Sequence, residues 1–330
     1  MSSADVSFLR NFDRIYIEKD AVDYPLTSKI LEHFKSAKLT YIRHYKDIFN
    51  RSRQSFEFQS HSRKIILAVN RGKLVYEGAP VCHNYGNDRF FYTSTVLNCP
   101  YDCEYCFLKG RYSTANIVIF VNVEDYIAKA SELGECYLSV SFDTDLPAMD
   151  HITAISSVWA ELAQEHPEIT IEIRTKSAPK SFIALPNLVY AFTLSPQEII
   201  DRFEHGTAGL EARLRSLRLA LSKGCKVRVC VDPIIYIDNW KELYGRMIDR
   251  LIAECDVDKI NDYGIGAFRI SSEYIKAIRR AEAYSAAVQF PFENRDGYCE
   301  YPYELTKAMV DYVRDRIREV ADDGKIFCQY

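Results

Sequence analysis

Apolar runs and helical stretches alternate along most of the chain after residue 90. Seven apolar runs predict strands: FFYTSTVL (90–97), IVIFVN (117–122), CYLSVSF (136–142), TIEIRTK (170–176), LVYAFTLS (188–195), KVRVCVDPII (226–235) and YGIGAFRIS (263–271). Apolar residues at helical spacing lie between most of them, at 151–166, 211–224 and 240–255. Continuously apolar strands are typical of a parallel sheet buried on both faces. The pattern predicts an α/β fold built on a partial (β/α)6 TIM-type barrel, with its chemistry at the carboxyl ends of the strands.

The two ends of the chain show a more mixed pattern. IYIEKD (15–20) predicts a strand and LTSKILEHFKSA (26–37) a helix, while residues 64–78 have the two β-rich runs and glycine-bearing turn of a hairpin. Residues 304–320 predict a helix, and KIFCQY a short final strand. These patterns predict three parts: an N-terminal α+β lead-in with a hairpin (1–85), the barrel (86–285) and a C-terminal helical and strand extension (286–330).

Composition places the chain among globular proteins with a sizeable core, since 48% of its residues are hydrophobic and 27% are charged. A net charge of −4 argues against binding nucleic acid through a bulk positive field, although it allows a local basic groove. The first residues, MSSADVSFLRNFDR, lack the basic stretch and apolar core of a secretory signal. The apolar runs at 115–121 and 188–192 are far shorter than the ~20 residues of a membrane helix. We therefore expect a soluble cytoplasmic protein with no membrane partner.

Three of the ten cysteines, Cys99, Cys103 and Cys106, are clustered with CxxxCxxC spacing. The other seven are scattered, and several lie in apolar runs where a thiol behaves as a small hydrophobic group. A closed zinc site and an electron-transfer iron–sulfur cluster each take four protein ligands. Three thiolates therefore leave one metal position open for chemistry. The alternative is a structural zinc loop with a distant fourth ligand such as His83 or His151.

The cysteine spacing, with Tyr105 directly before the third cysteine, resembles that of the radical S-adenosylmethionine (SAM) superfamily. The resemblance implies a 4Fe-4S cluster bound through the three cysteines, with one iron left for the amino and carboxylate groups of SAM. It implies one-electron cleavage of SAM to a 5′-deoxyadenosyl radical that takes a hydrogen atom from the substrate. It also implies an external one-electron donor of the flavodoxin or ferredoxin kind.

From residue 14 to 330 the chain is similar to one branch of that superfamily, the spore photoproduct lyase family of DNA-repair enzymes. The matching stretches are RIYIEKDAVDYPL (14–26), IFVNVEDY (119–126), SFDTDLPAMDHIT (141–153), RTK (174–176), RFEHGTAGLEARL (202–214), VDPI (231–234) and IFCQY (326–330). The resemblance implies a partial barrel of parallel β/α units, in agreement with the periodicity.

Carried over by position, the resemblance implies that five polar residues contact SAM: Thr144, Asp145, Lys176, Thr193 and Ser195. The first two would face its amino-acid part, and the other three its carboxylate or ribose. Lys176 suits a carboxylate because it is a point charge, whereas a Thr or Ser after a strand can equally cap a helix. A cap role for Asp145 is disfavoured because Pro147 and several residues separate it from the helix expected near His151.

Two aromatic positions and one acidic segment depart from the family. The family's hydrogen-donating cysteine falls at Phe142, and its tyrosine after the third cluster cysteine falls at Phe107, so neither position offers an S–H or O–H. In the C-terminal extension, on the substrate side, Arg295 matches a family residue that holds the lesion. Its neighbours here are Asp296 and Glu300, whose charges would repel a phosphodiester.

Several other residues carry two interpretations each. Arg269, in the last barrel run, suits an anionic substrate group or a structural ion pair. Cys299 and Cys136 are thiols near the departing positions, and Cys136 is also a typical core residue. The basic, aromatic stretch RSRQSFEFQSHSRK (51–64) suits a solvated loop or a grip on single-stranded nucleic acid.

The residues and the resemblance together predict a radical SAM enzyme of the lyase type, acting on a pyrimidine nucleotide or a DNA photolesion. The departures keep open a radical SAM tailoring enzyme that acts on a small molecule or nucleoside. A third hypothesis, of another class, is a non-catalytic zinc-binding module. Nucleic acid is therefore a candidate partner whose presence the acidic segment calls into question.

Overall fold

The computed structural model of the protein describes residues 12–78 and 82–330. Its strands, in chain order, are β1 (Arg14–Glu18), β2 (Lys38–Ile42), β3 (Ile65–Ala68), β4 (Val75–Glu77), β5 (Phe90–Thr93), β6 (Val96–Leu97), β7 (Asp102–Cys103), β8 (Ile117–Phe120), β9 (Cys136–Ser139), β10 (Ile169–Thr175), β11 (Leu188–Thr193), β12 (Glu204–His205), β13 (Lys226–Ile234), β14 (Asp262–Ala267), β15 (Arg269–Ser271), β16 (Glu293–Arg295), β17 (Tyr298–Glu300) and β18 (Ile326–Gln329).

Helices follow most of the long strands. They are α1 (Pro25–Leu31), α2 (Phe56–Ser60), α3 (Leu108–Arg111), α4 (Val123–Ser131), α5 (Leu146–Thr153), α6 (Ile155–Glu165), α7 (Gln197–Phe203), α8 (Leu210–Ser222), α9 (Trp240–Glu254), α10 (Ser272–Ala281), α11 (Ala286–Gln289) and α12 (Tyr303–Ile317). Short 3-10 turns lie at Lys19–Ala21, Tyr45–Asp47, Val257–Lys259 and Asp323–Lys325. In the described residues, none of these helices has the length and apolar character that crossing a bilayer requires.

The larger sheet has eight strands in the order β18-β14-β13-β11-β10-β9-β5-β4. Its neighbours pair in parallel except β4 and β5, which are antiparallel. Every residue of β11 and β14 is buried, as expected for strands covered on both faces. The sheet ends in two separate edge strands, so the arrangement is a partial barrel, and the predicted fold class is confirmed.

The smaller sheet, in the order β2-β1-β3-β8-β6, corrects the predicted hairpin at 64–78. Strand β3 pairs in parallel with β1 and β8, whereas β4 pairs with β5 in the larger sheet. All four residues of β3 are buried, so this strand needs a neighbour on each side and a cover on each face. The turn after it changes the chain direction without joining two neighbouring strands. Run 117–122, predicted for the barrel, is β8 of this smaller sheet.

Two predicted strands divide between sheets, and one predicted helix divides into two. Run 90–97 gives β5 to the larger sheet and β6 to the smaller, while run 263–271 gives β14 and β15 to different sheets. The helix expected at 151–166 is α5 and α6, separated by Ala154 in the left-handed region with φ 54°. The helix expected at 26–37 already ends at Leu31.

The three-part division at residues 85 and 285 stays a prediction. The smaller sheet contains β6 and β8 as well as β1, β2 and β3 of the lead-in, and the C-terminal β18 pairs with β14 of the barrel. Segments from all three parts therefore share hydrogen-bonded sheets. The remaining predicted helices are found close to their expected ranges, as α8, α9 and α12.

Candidate active site

The cysteine loop follows β6 of the smaller sheet and begins at a buried residue with left-handed backbone. Asn98 has φ 73°, a conformation that Asn adopts more readily than most residues. Its side-chain amide donates to the carbonyl oxygens of Thr114 and Asn116, at 2.7 and 3.0 Å. The turn that starts the loop is thus fixed to the chain segment leading into β8.

Arg63 holds the first half of the loop from outside. Its guanidinium donates to the carbonyl oxygens of Cys99, Pro100 and Tyr101, at 3.2, 2.6 and 3.3 Å, and pairs with the carboxylate of Asp102 at 3.4 Å. These carbonyl groups are turned toward one cation, so a single side chain sets the curvature of the loop.

Replacing Arg63 with methionine is expected to loosen the loop while the barrel stays folded. Charge-assisted hydrogen bonds contribute about 1.5–3 kcal/mol each, so amide exchange in residues 99–103 should quicken by about tenfold or more. Hydrogen–deuterium exchange read by mass spectrometry measures this, with the exposed Arg53→Met as the matched control. Equal exchange in both variants would contradict the anchoring role.

The three thiols lie in a desolvated environment and influence one another. Burial raises the pKa of Cys99, Cys103 and Cys106, that of Cys103 to about 12, and the charges of neighbouring cysteines add to the rise for Cys99 and Cys103. Within 12–78 and 82–330, no three Cys, His, Asp or Glu side chains are grouped closely enough to bind one metal ion. In a cubane cluster each cysteine binds a different iron, so its thiolates need not meet at one point. Three soft donors on one loop, with Cys103 buried and Cys99 and Cys106 partly exposed, fit such a cluster.

A two-residue pairing ties the loop to a buried acid on another element. Strand β7 pairs with β12 in antiparallel register, so Cys103 lies opposite Glu204 and Asp102 opposite His205. The backbone N–H of Glu104 donates to Phe203 at 2.9 Å. The cysteine loop and the segment that carries Glu204 therefore form one hydrogen-bonded unit.

Glu204 is the centre of a buried hydrogen-bond network beside the cysteines. Its carboxylate accepts from Ser195 Oγ at 2.7 Å, from Lys176 Nζ at 3.0 Å and from the hydroxyl of Tyr105, and it pairs with Arg213 at 2.5 Å. Lys176 Nζ also donates to the Tyr105 hydroxyl at 2.6 Å. Burial opposes ionisation of Glu204, but the charges of Lys176 and Arg213 outweigh it and hold the pKa of the carboxyl far below its ordinary value.

The network brings together three residues predicted from sequence, Tyr105, Lys176 and Ser195, around a residue that the prediction missed. Glu204 lies in the stretch RFEHGTAGLEARL that carried the family resemblance. The sequence signal that could have indicated Glu204 is an acidic residue directly after the amphipathic segment 197–203, close to the predicted strand end at Ser195. Charge spacing alone does not show that this acid is buried.

Asp145 is the N-cap of α5, which contradicts the prediction that a cap role is disfavoured. The helix begins at Leu146, and Pro147 fits its first turn because proline needs no N–H partner there. One Asp145 oxygen accepts from the Ala148 N–H at 3.2 Å and from Thr175 Oγ at 2.7 Å, and the other from the Lys176 N–H at 2.6 Å. Asp145 thus joins the ends of β9 and β10.

The other two predicted SAM contacts, Thr144 and Thr193, are buried at the carboxyl ends of the same sheet. In the described part of the chain, the Thr144 hydroxyl has no hydrogen-bond partner. A buried hydroxyl without a partner is costly unless a ligand or water satisfies it, so this position fits a polar cofactor group. Thr193 ends β11, and its carbonyl oxygen accepts from Arg213 at 3.0 Å.

The two predicted substrate residues lie apart from this network. Arg269 donates to Asp232 at 3.0 Å and to the side chain of Gln329, which shows the structural ion pair that sequence left as one alternative. Arg295 lies on the hairpin β16–β17 and pairs with Glu300 at 3.1 Å. Its side chain is 46% exposed, so the guanidinium is half open to solvent.

A family model described as spore photoproduct lyase matches residues 11–281 of the sequence. This chain belongs to the spore photoproduct lyase family. Among its relatives, spore photoproduct lyase of Clostridium acetobutylicum is 24% identical over 256 residues, covering 72% of this chain and 73% of that protein. Spore photoproduct lyase of Bacillus subtilis is 21% identical over 267 residues, covering 75% of each chain.

Solved structures of spore photoproduct lyase have the same fold. A doubly substituted variant with bound AdoMet and dinucleoside spore photoproduct superposes with a TM-score of 0.80 at 19% identity, covering 97% of this chain and 98% of that one. A structure complexed with dinucleoside spore photoproduct gives the same TM-score at 18% identity. The likeness extends through the lead-in, barrel and extension.

Membership of the spore photoproduct lyase family confirms several sequence-based predictions. The protein is a radical SAM enzyme of the lyase type, and its family uses SAM with a 4Fe-4S cluster. The hypothesis of a non-catalytic zinc-binding module is therefore wrong. The assignment of individual residues to cluster, SAM and substrate stays a prediction.

Proposed function

We propose that this protein repairs a thymine-type DNA photolesion by hydrogen-atom abstraction with a radical derived from SAM. The observation that carries the proposal is the pairing of the cysteine loop with the Glu204 network through β7 and β12. It is supported by the solved family structures, which bind AdoMet and a dinucleoside spore photoproduct. Both ligands suit a site at the carboxyl ends of barrel strands.

Cys99, Cys103 and Cys106 would hold the 4Fe-4S cluster, with one iron left for SAM. When bound there, the pair supplies a one-electron cleavage that yields the 5′-deoxyadenosyl radical. The protein's own task is to exclude water and fix positions. Burial of Cys103 and Tyr105 serves the first, and the hydrogen bonds of Arg63 and Glu204 serve the second.

The polar residues beyond the loop would orient SAM. Thr144, which follows β9, offers its unpartnered hydroxyl. Thr193 is the last residue of β11 and lies two residues before Ser195. Burial disfavours the charge of Lys176, but the carboxylate of Glu204 outweighs this effect and raises the pKa of the amine above its ordinary value. Lys176 is therefore held as an ammonium. Asp145 would act mainly by fixing the backbone of Lys176, since both of its oxygens already accept hydrogen bonds.

The substrate side carries Arg295 and Arg269, each already paired with an acid. The ion pair of Arg295 with Glu300 lowers its attraction for a phosphodiester, and Glu293 lies 4.0 Å away on its other side. This acidic hairpin favours a second candidate function, radical chemistry on a nucleoside or another small substrate without a phosphate backbone.

Replacing Glu300 with glutamine is expected to tighten the binding of single-stranded oligothymidylate about two- to fivefold at low salt. The ion pair of Arg295 with Glu300 contributes about 0.2–1 kcal/mol. Without the charge of Glu300, the Arg295 guanidinium can bind phosphate instead. Fluorescence anisotropy measures the change, with Glu319→Gln, in the exposed pair with Arg316 just after α12, as control. Unchanged affinity would favour the small-substrate function.

We also propose a cytoplasmic setting and a flavodoxin- or ferredoxin-like electron donor. Each of the ten cysteines is a free thiol, which suits a reducing compartment. A cluster that must accept a single electron for every SAM cleavage requires such a donor.

The proposed function is tested by anaerobic reconstitution with iron and sulfide, followed by reduction with dithionite in the presence of SAM. We expect 5′-deoxyadenosine, and conversion of dinucleoside spore photoproduct to the two thymidines. Formation of 5′-deoxyadenosine with no repair, together with turnover of a nucleoside, would replace the proposal by the second candidate. A protein that binds no cluster would contradict both.

A further inference from the structure

An aromatic column runs from the cysteine loop to the open edge of the barrel. Phe107, directly after Cys106, lies 5.7 Å from Phe142 between ring centroids. Phe142 is stacked on Tyr92 at 4.1 Å with an interplanar angle of 28°, and Tyr92 is stacked on Tyr76 at 5.2 Å. Two phenylalanines therefore adjoin the loop, and two tyrosines continue the stack.

Strand register places Tyr92 on the inner face of the barrel sheet. Tyr92 lies beside Ser139, which lies beside Glu172, and residues paired in this way share a face. Glu172 is a buried carboxylate paired with Arg228 inside the barrel. Tyr92 is half-buried in β5, next to the edge strand β4, so its side chain is partly accessible at the open side of the sheet.

The two phenylalanines of this column have no hydrogen atom to give, whereas the tyrosine beside them does. An aromatic C–H bond is too strong to quench a carbon radical, but a phenol O–H is an ordinary hydrogen-atom donor. We propose that Tyr92 returns a hydrogen atom to the substrate radical, a role that rests on the proposed function.

The surroundings of Tyr92 support this role. Burial raises the pKa of the phenol, the Arg111 guanidinium opposes that rise and the Asp143 carboxylate adds to it, so the O–H is intact at neutral pH. Asp143 is buried between Arg111, at 3.5 Å, and Ser94, at 2.7 Å. Charged groups of both signs thus lie close to the phenol.

The proposed step balances as follows. The O–H bond of Tyr92 breaks and a C–H bond forms on the substrate radical, leaving a tyrosyl radical. That radical is returned to tyrosine by one electron from the external one-electron donor and one proton from solvent. No further oxidant or reductant is required.

Thiols offer the rival explanation, and Cys82 and Cys299 are the two that we compare. Cys82 lies close enough to Arg174 and Arg269 for their charges to affect its pKa. Cys299 lies on β17, with its sulfur 3.4 Å from Ser272 Oγ. Both are replaceable by alanine, so each rival is open to the same assay.

The test uses the full-length reconstituted enzyme with SAM, dithionite and dinucleoside spore photoproduct in D₂O. We expect the repaired product to carry one deuterium, because the phenol exchanges with solvent. Tyr92→Phe keeps the stack and should lower repair by about tenfold or more, while 5′-deoxyadenosine formation changes less than about twofold. Freeze-quenched wild type should show a tyrosyl signal by electron paramagnetic resonance that Tyr76→Phe retains and Tyr92→Phe loses.

Three outcomes overturn the inference. Wild-type rates of repair in Tyr92→Phe would do so directly. Loss of repair in Cys82→Ala or Cys299→Ala, with the tyrosyl signal absent from wild type, would assign the donor to a thiol. SAM cleavage without repair in wild type would remove the proposed substrate and the inference with it. This outcome is seen in the wild-type assay alone, so it is distinguishable from the first two, which require the variants.

Discussion

Replacing Cys103 with alanine is expected to remove the reconstituted iron–sulfur absorbance and all formation of 5′-deoxyadenosine. Each of the three thiolates would bind a different iron of the cluster, and Cys103 is the most buried of the three, so no other group on the loop would replace it. The readouts are iron content, visible absorbance after anaerobic reconstitution, and chromatography of the nucleoside product.

The matched control for that variant is Cys225→Ala. Cys225 is also a buried thiol, but it packs in the core at the start of β13, away from the cysteine loop. Its replacement should cost some stability and leave the cluster intact. Full iron content in Cys103→Ala, or equal loss in both variants, would show that these cysteines do not hold the cluster.

Replacing Glu204 with glutamine is expected to lower the free energy of unfolding by about 3–5 kcal/mol. The substitution keeps the shape of the side chain but leaves Lys176 and Arg213 as two buried cations without a counter-charge. Urea unfolding followed by circular dichroism gives the value. Glu198→Gln is the control, because its pair with Arg246 is about half exposed and contributes under about 1 kcal/mol.

The Glu204 contribution should also depend on pH with a defined sign. The folded-state pKa is depressed, so the stabilisation is fully present above the unfolded-state pKa of about 4.3 and is lost as pH falls toward the folded-state value. The stability difference between wild type and Glu204→Gln should therefore be constant near neutrality and shrink below about pH 4. A difference that instead grew with acidity would contradict the ion-pair network.

Sequence predicted the parts of this protein whose chemistry is local. The CxxxCxxC spacing and the parallel β/α pattern are visible in short stretches of sequence, whereas the polar residues at strand ends are implied by the family resemblance. Glu204 was missed because its burial depends on the pairing of β12 with β7. Each of these strands has only two residues, which is too short to produce a recognisable hydrophobic pattern. The stack of Tyr92 on Phe142 likewise joins distant segments of chain.

The errors have a common physical cause. The turn between β3 and β4 has the residues of a hairpin, but strand pairing is decided by burial, and β3 is buried only in the middle of the smaller sheet. Pro147 and several residues separate Asp145 from the helix that the sequence predicts near His151, but proline fits a first helical turn and the helix begins at Leu146. Local chemistry allows such alternatives, and tertiary packing selects among them.

The antiparallel contact of β7 with β12 has a thermodynamic consequence. Because Cys103 and Glu204 lie opposite each other, ordering either segment lowers the entropic cost of ordering the other. With the cluster at the cysteine loop and the sulfonium cofactor beside Glu204, as proposed, iron uptake and cofactor docking would then be reciprocally coupled, each raising the affinity for the other by the same factor. Metal insertion would thereby mature the neighbouring pocket, so that a chain lacking its inorganic centre would discriminate poorly among adenosine-containing ligands.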